Sequence, residues 1–135
     1  MTTIKIITLY LLTVPVFFAI DMTWLGLIAK NFYRAQIGGL MRTDIIWWAA
    51  ILFYLLFIVG IIYFAVLPAL AENSWMKALT LGALFGFFTY MTYDLTNYST
   101  LKDWPIMIVV VDIMWGVVLS ASVATASFFI GRAIS

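Results

Sequence analysis

The chain has 135 residues, of which 66% are hydrophobic and 10% are charged, and its net charge is +1. Soluble domains carry about 25% charged residues, so this composition excludes a water-soluble fold. Without a surplus of basic residues, nucleic acid is not expected as a partner. Histidine and cysteine are both absent, which removes the usual ligands of haem and zinc, and neither cofactor is expected.

Four apolar segments follow one another along the chain, and each exceeds the roughly 20 residues that a helix needs to cross a bilayer. They predict an all-α fold, an integral membrane four-helix bundle that forms a single membrane domain over residues 1–135. The helices are expected at about residues 4–29, 45–70, 75–98 and 105–130. Short turns join the later helices, so neighbours are antiparallel and the order is up-down-up-down. Residues 30–43 are expected to form the one sizeable loop.

The first segment is too long for the apolar region of a signal peptide and no small-residue cleavage pattern follows it, so we expect it to be retained. The chain is therefore predicted to be a multi-pass protein of the cell inner (plasma) membrane, surrounded by membrane lipids. Its basic residues divide four against three between the two membrane faces. The positive-inside rule slightly favours a cytoplasmic 30–43 loop, but a difference of one basic residue leaves the orientation of the termini open.

Three acidic residues, Asp21, Asp94 and Asp112, fall inside predicted helices, where a carboxylate costs about 2.5 to 3.5 kcal/mol. Each lies roughly seven or eight residues from a helix end on the same membrane face, a depth of about 10 to 12 Å. The antiparallel order therefore predicts that helices one, three and four bring the three carboxyl groups to one level.

Helical spacing places aromatic and amide side chains next to these acids. The predicted binding-pocket residues are Asp21, Trp24, Tyr90, Asp94, Asn97, Asp112 and Trp115. Neighbouring carboxyl groups in an apolar setting either keep protons or share a hard divalent cation such as Mg²⁺, Ca²⁺ or Mn²⁺. A metal, if one binds, would be held by Asp21, Asp94, Asn97 and Asp112. The alternative is that protonated aspartates only join helices through hydrogen bonds.

Small residues indicate which helices pack closely. Gly82 and Gly86 form a G-x-x-x-G pattern in the third helix, and Gly116, Ser120 and Ala124 form a ridge of small residues in the fourth. Such residues permit close approach, so these two helices are expected to pack tightly. The second helix has no ionisable side chain and is expected to lie outside the acid site.

Several short patterns recur together along the chain: D-x-x-W-L-G at 21–26, F-Y at 32–33, F-Y-L-L at 53–56, G-A-L-F-G at 82–86, Y-D-L-T-N at 93–97, W-P at 104–105 and V-D-I-x-W-G at 111–116. Taken together, they closely resemble a bacterial family of small predicted membrane proteins known as domain of unknown function 2177, over nearly the whole chain. The resemblance implies a membrane fold and location. Its patterns include Asp21, Asp94, Asn97 and Asp112, but it carries no activity, substrate or cofactor.

Three functions fit the sequence. The first is a small proton- or cation-coupled transporter, for which four spans can suffice when two copies pair as a homo-oligomer. The second is a membrane-embedded protein that binds or modifies lipids, with carboxyl groups as general acid and base. The third is a structural or regulatory subunit without chemistry. The chain has no histidine base of the kind hydrolases use, so a role other than enzyme is favoured.

Overall fold

The computed structural model describes residues 1–135, and the fold is entirely helical. The elements, in chain order, are α1 (Thr3–Thr23) with a π-helical turn (Trp24–Ile28), α2 (Lys30–Ile37) with a 3₁₀ turn (Gly38–Leu40), α3 (Trp47–Ile61) with a π-helical turn (Ile62–Val66), α4 (Leu67–Ala71), α5 (Trp75–Thr100) and α6 (Ile106–Ile134). The expected all-α class is confirmed, and the four expected segments all correspond to helices.

Three continuous helical stretches are long and apolar enough to cross a membrane: Thr3–Ile28, Trp47–Ala71 and Ile106–Ile134. The remaining expected span, the third at about 75–98, corresponds to α5, which has 26 residues but is less apolar than the others. Its polarity comes from Lys77, Asp94 and Asn97 together with five threonines and three tyrosines. Thr89 and Thr92 donate hydrogen bonds to carbonyl oxygens one turn earlier, at 2.8 and 2.6 Å, so these hydroxyl groups are satisfied within the helix.

The expected loop at 30–43 is wrong in its first half, because residues Lys30–Ile37 form α2. The apolar side chains of this helix lie on one face and pack against Trp104 and the first turns of α6, and they are Phe32, Tyr33 and Ile37. Lys30 and Arg34 are exposed on the other side. An amphipathic helix needs a surface on which to bury its apolar face, and the beginning of α6 supplies that surface.

Helices α5 and α6 approach each other closely through their small residues, as predicted. A methyl group added at Gly82 would lie 2.7 Å from Cβ of Ala124. One added at Gly86 would lie 2.7 Å from both the Gly116 carbonyl carbon and Ser120 Oγ. The backbones therefore touch at these positions, and no larger residue fits without moving a helix.

The remaining helices complete the bundle around α6. Helix α1 packs along α6, where the buried hydroxyl groups of Thr13 and Ser127 lie 2.7 Å apart. Helix α3 contacts α1. Within the helical stretch Trp47–Ala71, the π-helical turn Ile62–Val66 lies closest to α5. Toward Trp47, α3 and α5 are farther apart, and this separation leaves space at the end of the bundle where α2 lies.

Candidate functional site

The three acids that were predicted to lie within the membrane are found at this same end of the bundle. Asp21 is in the last turn of α1 and only 3% exposed, Asp94 is in the C-terminal part of α5 and fully buried, and Asp112 is in the second turn of α6 and partly buried. We call these three residues the acid site. Each side chain comes from a different helix, so only the packing of α1, α5 and α6 brings them together.

Asp21 is bound by a tryptophan of the opposite helix. Trp115 Nε1 donates a hydrogen bond to Asp21 Oδ1 at 3.0 Å. The Trp115 ring stacks on that of Trp24, with 4.6 Å between ring centroids and 10° between ring planes. Trp24 begins the π-helical turn that ends the first helical stretch, and such turns are frequent at functional sites. The stacked rings fix the position of the Asp21 carboxyl group.

Asp112 is bound by a residue of α2. The Tyr33 hydroxyl donates a hydrogen bond to Asp112 Oδ1 at 2.7 Å and accepts one from Trp24 Nε1 at 3.2 Å. Burial, together with the charge of Asp112, raises the pKa of the Tyr33 phenol above its ordinary value. Tyr33 therefore remains a proton donor to the carboxyl group, and α2 covers the acid site on this side.

Asp94 is the least satisfied of the three acids. Both of its carboxyl oxygens are buried, and neither accepts a hydrogen bond from an N–H or O–H group. Its carboxyl group lies close enough to that of Asp112 to interact with it. The only ion pair in the structure joins Lys77 to Glu72 at 2.6 Å, next to the turn between α4 and α5 at the other end of the bundle. No basic side chain neutralises the acid site.

A cavity of about 530 Å³ adjoins the acid site. Its wall is mostly apolar and aromatic and consists of Asp21, Leu25, Phe53, Tyr54, Phe57, Thr89, Tyr90, Tyr93, Asp112 and Trp115. Phe53 of α3 and Tyr93 of α5 are 51% and 55% exposed, so the cavity reaches the outer surface of the bundle between these two helices. The volume falls within the range of roughly 300 to 1,000 Å³ that is typical of ligand pockets.

The predicted site residues divide into three groups. Asp21, Tyr90, Asp112 and Trp115 line the cavity, and Trp24 is joined to it through its stack with Trp115. Asp94 lies behind the wall beside Asp112. Asn97 makes no side-chain hydrogen bond to any of the acids. No three acidic side chains gather closely enough to form a recognisable metal group.

Sequence reasoning missed Tyr33 and the contribution of the second helix. The expectation that the second helix lies outside the acid site is wrong, because Phe53, Tyr54 and Phe57 line the cavity. That expectation rested on the absence of Asp, Glu, Lys and Arg from this helix, but an aromatic side chain can form a cavity wall without any charge. The F-Y pattern at 32–33 and the F-Y-L-L pattern at 53–56 contain three of the missed residues and were the available signal.

Comparison with known families gives one match. The family model described as predicted membrane protein (DUF2177) matches residues 6–129, a range that contains every residue of the acid site and of the cavity wall. No curated protein and no solved structure matches the chain.

Proposed function

Since the chain belongs to the family described as predicted membrane protein (DUF2177), we propose that it is a small proton- or cation-coupled transporter whose ion site is formed by Asp21, Asp94 and Asp112. The observation that carries this proposal is the fully buried Asp94 carboxyl group, which has no hydrogen-bond donor and lies beside Asp112 with no basic side chain near. In an apolar setting, such a pair must hold a proton or an external cation.

The proposal places the protein in the inner membrane as an up-down-up-down bundle of four spans, with α5 as the third span. The outward residues of α5 support this placement, since Leu84, Phe88 and Leu95 are exposed in addition to the threonines that bond within the helix. A helix of 26 residues is about 39 Å long, enough to cross a hydrocarbon core of about 30 Å. Membrane lipids would then cover these apolar side chains.

The cavity next to the acid site supplies a place for the transported solute. It lies between α3 and α5 near one end of the bundle, where α2 covers the acids. The cavity lies near one end of the bundle and does not by itself cross it, so a homo-oligomer of two copies would complete the path. Proton exchange at the acids would be coupled to solute binding because Asp21 and Asp112 form part of the cavity wall.

Proton flux into proteoliposomes, measured with an enclosed pH-sensitive dye under an imposed gradient, tests this proposal. We expect Asp94→Asn and Asp112→Asn to reduce the flux at least about tenfold, equivalent to roughly 1.4 kcal/mol. Asp44→Asn is the matched control, because Asp44 is an exposed acid in the connection before α3, outside the cavity wall. Its flux should equal that of the unmodified protein.

The same variants separate transport from a structural role. Each is reconstituted and its helix content and thermal unfolding are measured beside the flux. If the asparagine variants fold and carry undiminished flux, the proposed ion site is wrong. If no proton or metal-ion gradient produces flux in the unmodified protein, the transporter proposal fails. Undiminished flux with lower stability would instead indicate aspartates that only join helices.

A second candidate, a lipid-binding or lipid-modifying protein, is favoured by one observation. The cavity reaches the surface of the bundle at Phe53 and Tyr93, where an acyl chain could enter from the bilayer. In that case the carboxyl groups of Asp21 and Asp112 would act on a lipid head group as general acid and base. Lipid composition of a deletion strain tests this candidate, and an unchanged composition under several growth stresses would count against it.

A further inference from the structure

We propose that the cavity binds hydrophobic organic cations, such as amphiphilic amines or quaternary onium ions, which reach it from the bilayer between α3 and α5. This inference rests on the proposed function, since it names the solute class of the same site. Its basis is the combination of an aromatic wall, two carboxyl groups in that wall and an opening on the apolar surface of the bundle.

The wall offers the two groups that attract an organic cation. Tyr54, Phe57, Tyr90 and Trp115 present aromatic rings, and the faces of such rings attract ammonium and other onium groups. Asp21 and Asp112 supply negative charge at the same wall when they release their protons. Aromatic rings that enclose a cation are the recognised binding mode for quaternary ammonium groups, which cannot donate a hydrogen bond.

Other solute classes fit the wall less well. An anion would meet two carboxyl groups and no basic side chain. A hard metal ion would need about six oxygen ligands, and the three acids do not lie close enough together to form a metal group. The cavity of about 530 Å³ is also much larger than an ion and has the size of a site for a small organic molecule.

The position of the opening indicates the route of access. Phe53 and Tyr93 stand on either side of it, and both are more than half exposed on the lipid-facing sides of α3 and α5. Toward the end of the bundle, α2 lies over the acid site, and Tyr33 is hydrogen-bonded to Asp112. A hydrophobic cation that partitions into the bilayer can therefore reach the cavity from the side without displacing α2.

The test is binding of radiolabelled tetraphenylphosphonium to the purified full-length protein in lipid nanodiscs, measured by equilibrium dialysis. Tetraphenylborate is the matched control, since it has the same shape and the opposite charge. We expect saturable binding of the cation and at least about tenfold weaker binding of the anion. Asp112→Asn should weaken cation binding at least about tenfold, whereas Asp44→Asn should leave it unchanged.

A second pair of variants keeps the test valid if Asp112→Asn does not fold. Phe53→Leu removes an aromatic face at the half-exposed rim of the cavity, where a cation–π contact contributes about 0.5 to 1 kcal/mol. Binding of tetraphenylphosphonium should therefore weaken roughly two- to fivefold. Phe88→Leu is the control, because Phe88 is equally exposed on α5 but lies outside the cavity wall.

The outcomes distinguish this inference from the proposed function. Aspartate-dependent proton flux without tetraphenylphosphonium binding would overturn the solute class and leave the ion site in place. Charge-selective, Asp112-dependent binding without any flux would support the inference and refute transport. Equal binding of both tetraphenyl ions, or binding that is insensitive to both Asp112→Asn and Phe53→Leu, would overturn the inference, because the cavity would then be only a hydrophobic space.

Discussion

Replacement of Gly86 by alanine tests the contact on which the acid site depends. The added methyl group would lie 2.7 Å from the carbonyl carbon of Gly116 and 2.7 Å from Ser120 Oγ. The backbone of α6 cannot rotate away as a side chain can, so α5 and α6 must separate. Asp94 lies two turns farther along α5, and the same separation would move its carboxyl group away from Asp112.

The expected cost follows from two opposing effects. Overpacking a close contact destabilises a protein by about 1 to 3 kcal/mol. Alanine in place of glycine within a helix recovers up to about 1 kcal/mol of that loss. Because the clash involves backbone atoms of the partner helix, we expect Gly86→Ala to lower the free energy of unfolding by about 1 to 2 kcal/mol.

Gly26→Ala is the matched control, since a methyl group at Gly26 meets no atom within 4 Å. This variant should be as stable as the unmodified protein or more stable by about 0.5 to 1 kcal/mol. Unfolding in mixed detergent micelles with increasing dodecyl sulfate, followed by circular dichroism, measures both variants. If Gly86→Ala is as stable as Gly26→Ala, then α5 and α6 do not approach at Gly86 as described and the geometry of the acid site is wrong.

Three further predictions concern contacts between distant residues. Tyr33→Phe leaves Trp24 Nε1 without an acceptor and Asp112 without a donor, so it should lower the free energy of unfolding by about 1 to 3 kcal/mol. An unchanged unfolding curve would contradict the contact between α2 and Asp112. Because burial raises the pKa of Tyr33, this residue does not ionise near pH 10. The tyrosinate absorbance that develops near pH 10 should therefore be equal in Tyr33→Phe and the unmodified protein. A loss of one tyrosine's absorbance in Tyr33→Phe would refute the raised pKa. A double-mutant cycle of Thr13→Val and Ser127→Ala should give a coupling of about 0.6 kcal/mol by the same unfolding assay, and strictly additive effects would exclude the hydrogen bond.

Much of the fold could be predicted because it depends on local properties of the chain. Apolar segments of more than about 20 residues indicate membrane helices whatever surrounds them, and the expected segments agree with the observed helices to within a few residues at nearly every end. The close contact of α5 and α6 was also predictable, since glycines at positions four apart allow a neighbouring helix to approach closely. By contrast, α2 was expected to be loop. It could not be predicted locally, because a single amphipathic stretch of eight residues is stable only where a partner surface exists.

The candidate site was predicted only in part, for the same reason. Counting residues from the helix ends indicated that three aspartates would share one level, a property that each helix carries in its own sequence. Counting cannot tell which side chains face one another across that level. Asn97 lies one turn from Asp94 and yet has no hydrogen bond to the acids, whereas Tyr54 was assigned to packing and lines the cavity.

The sequence by itself therefore indicated a membrane environment, the helices that this environment requires and the positions of the three aspartates within those helices, because hydrophobicity and helical rise act residue by residue. The tertiary structure decided that the Tyr33 hydroxyl reaches Asp112, 79 positions away, and that α3 stands apart from α5 and leaves a cavity between them. Such features depend on the angles at which helices cross, and these angles are set by side-chain packing over the whole bundle rather than by any one segment.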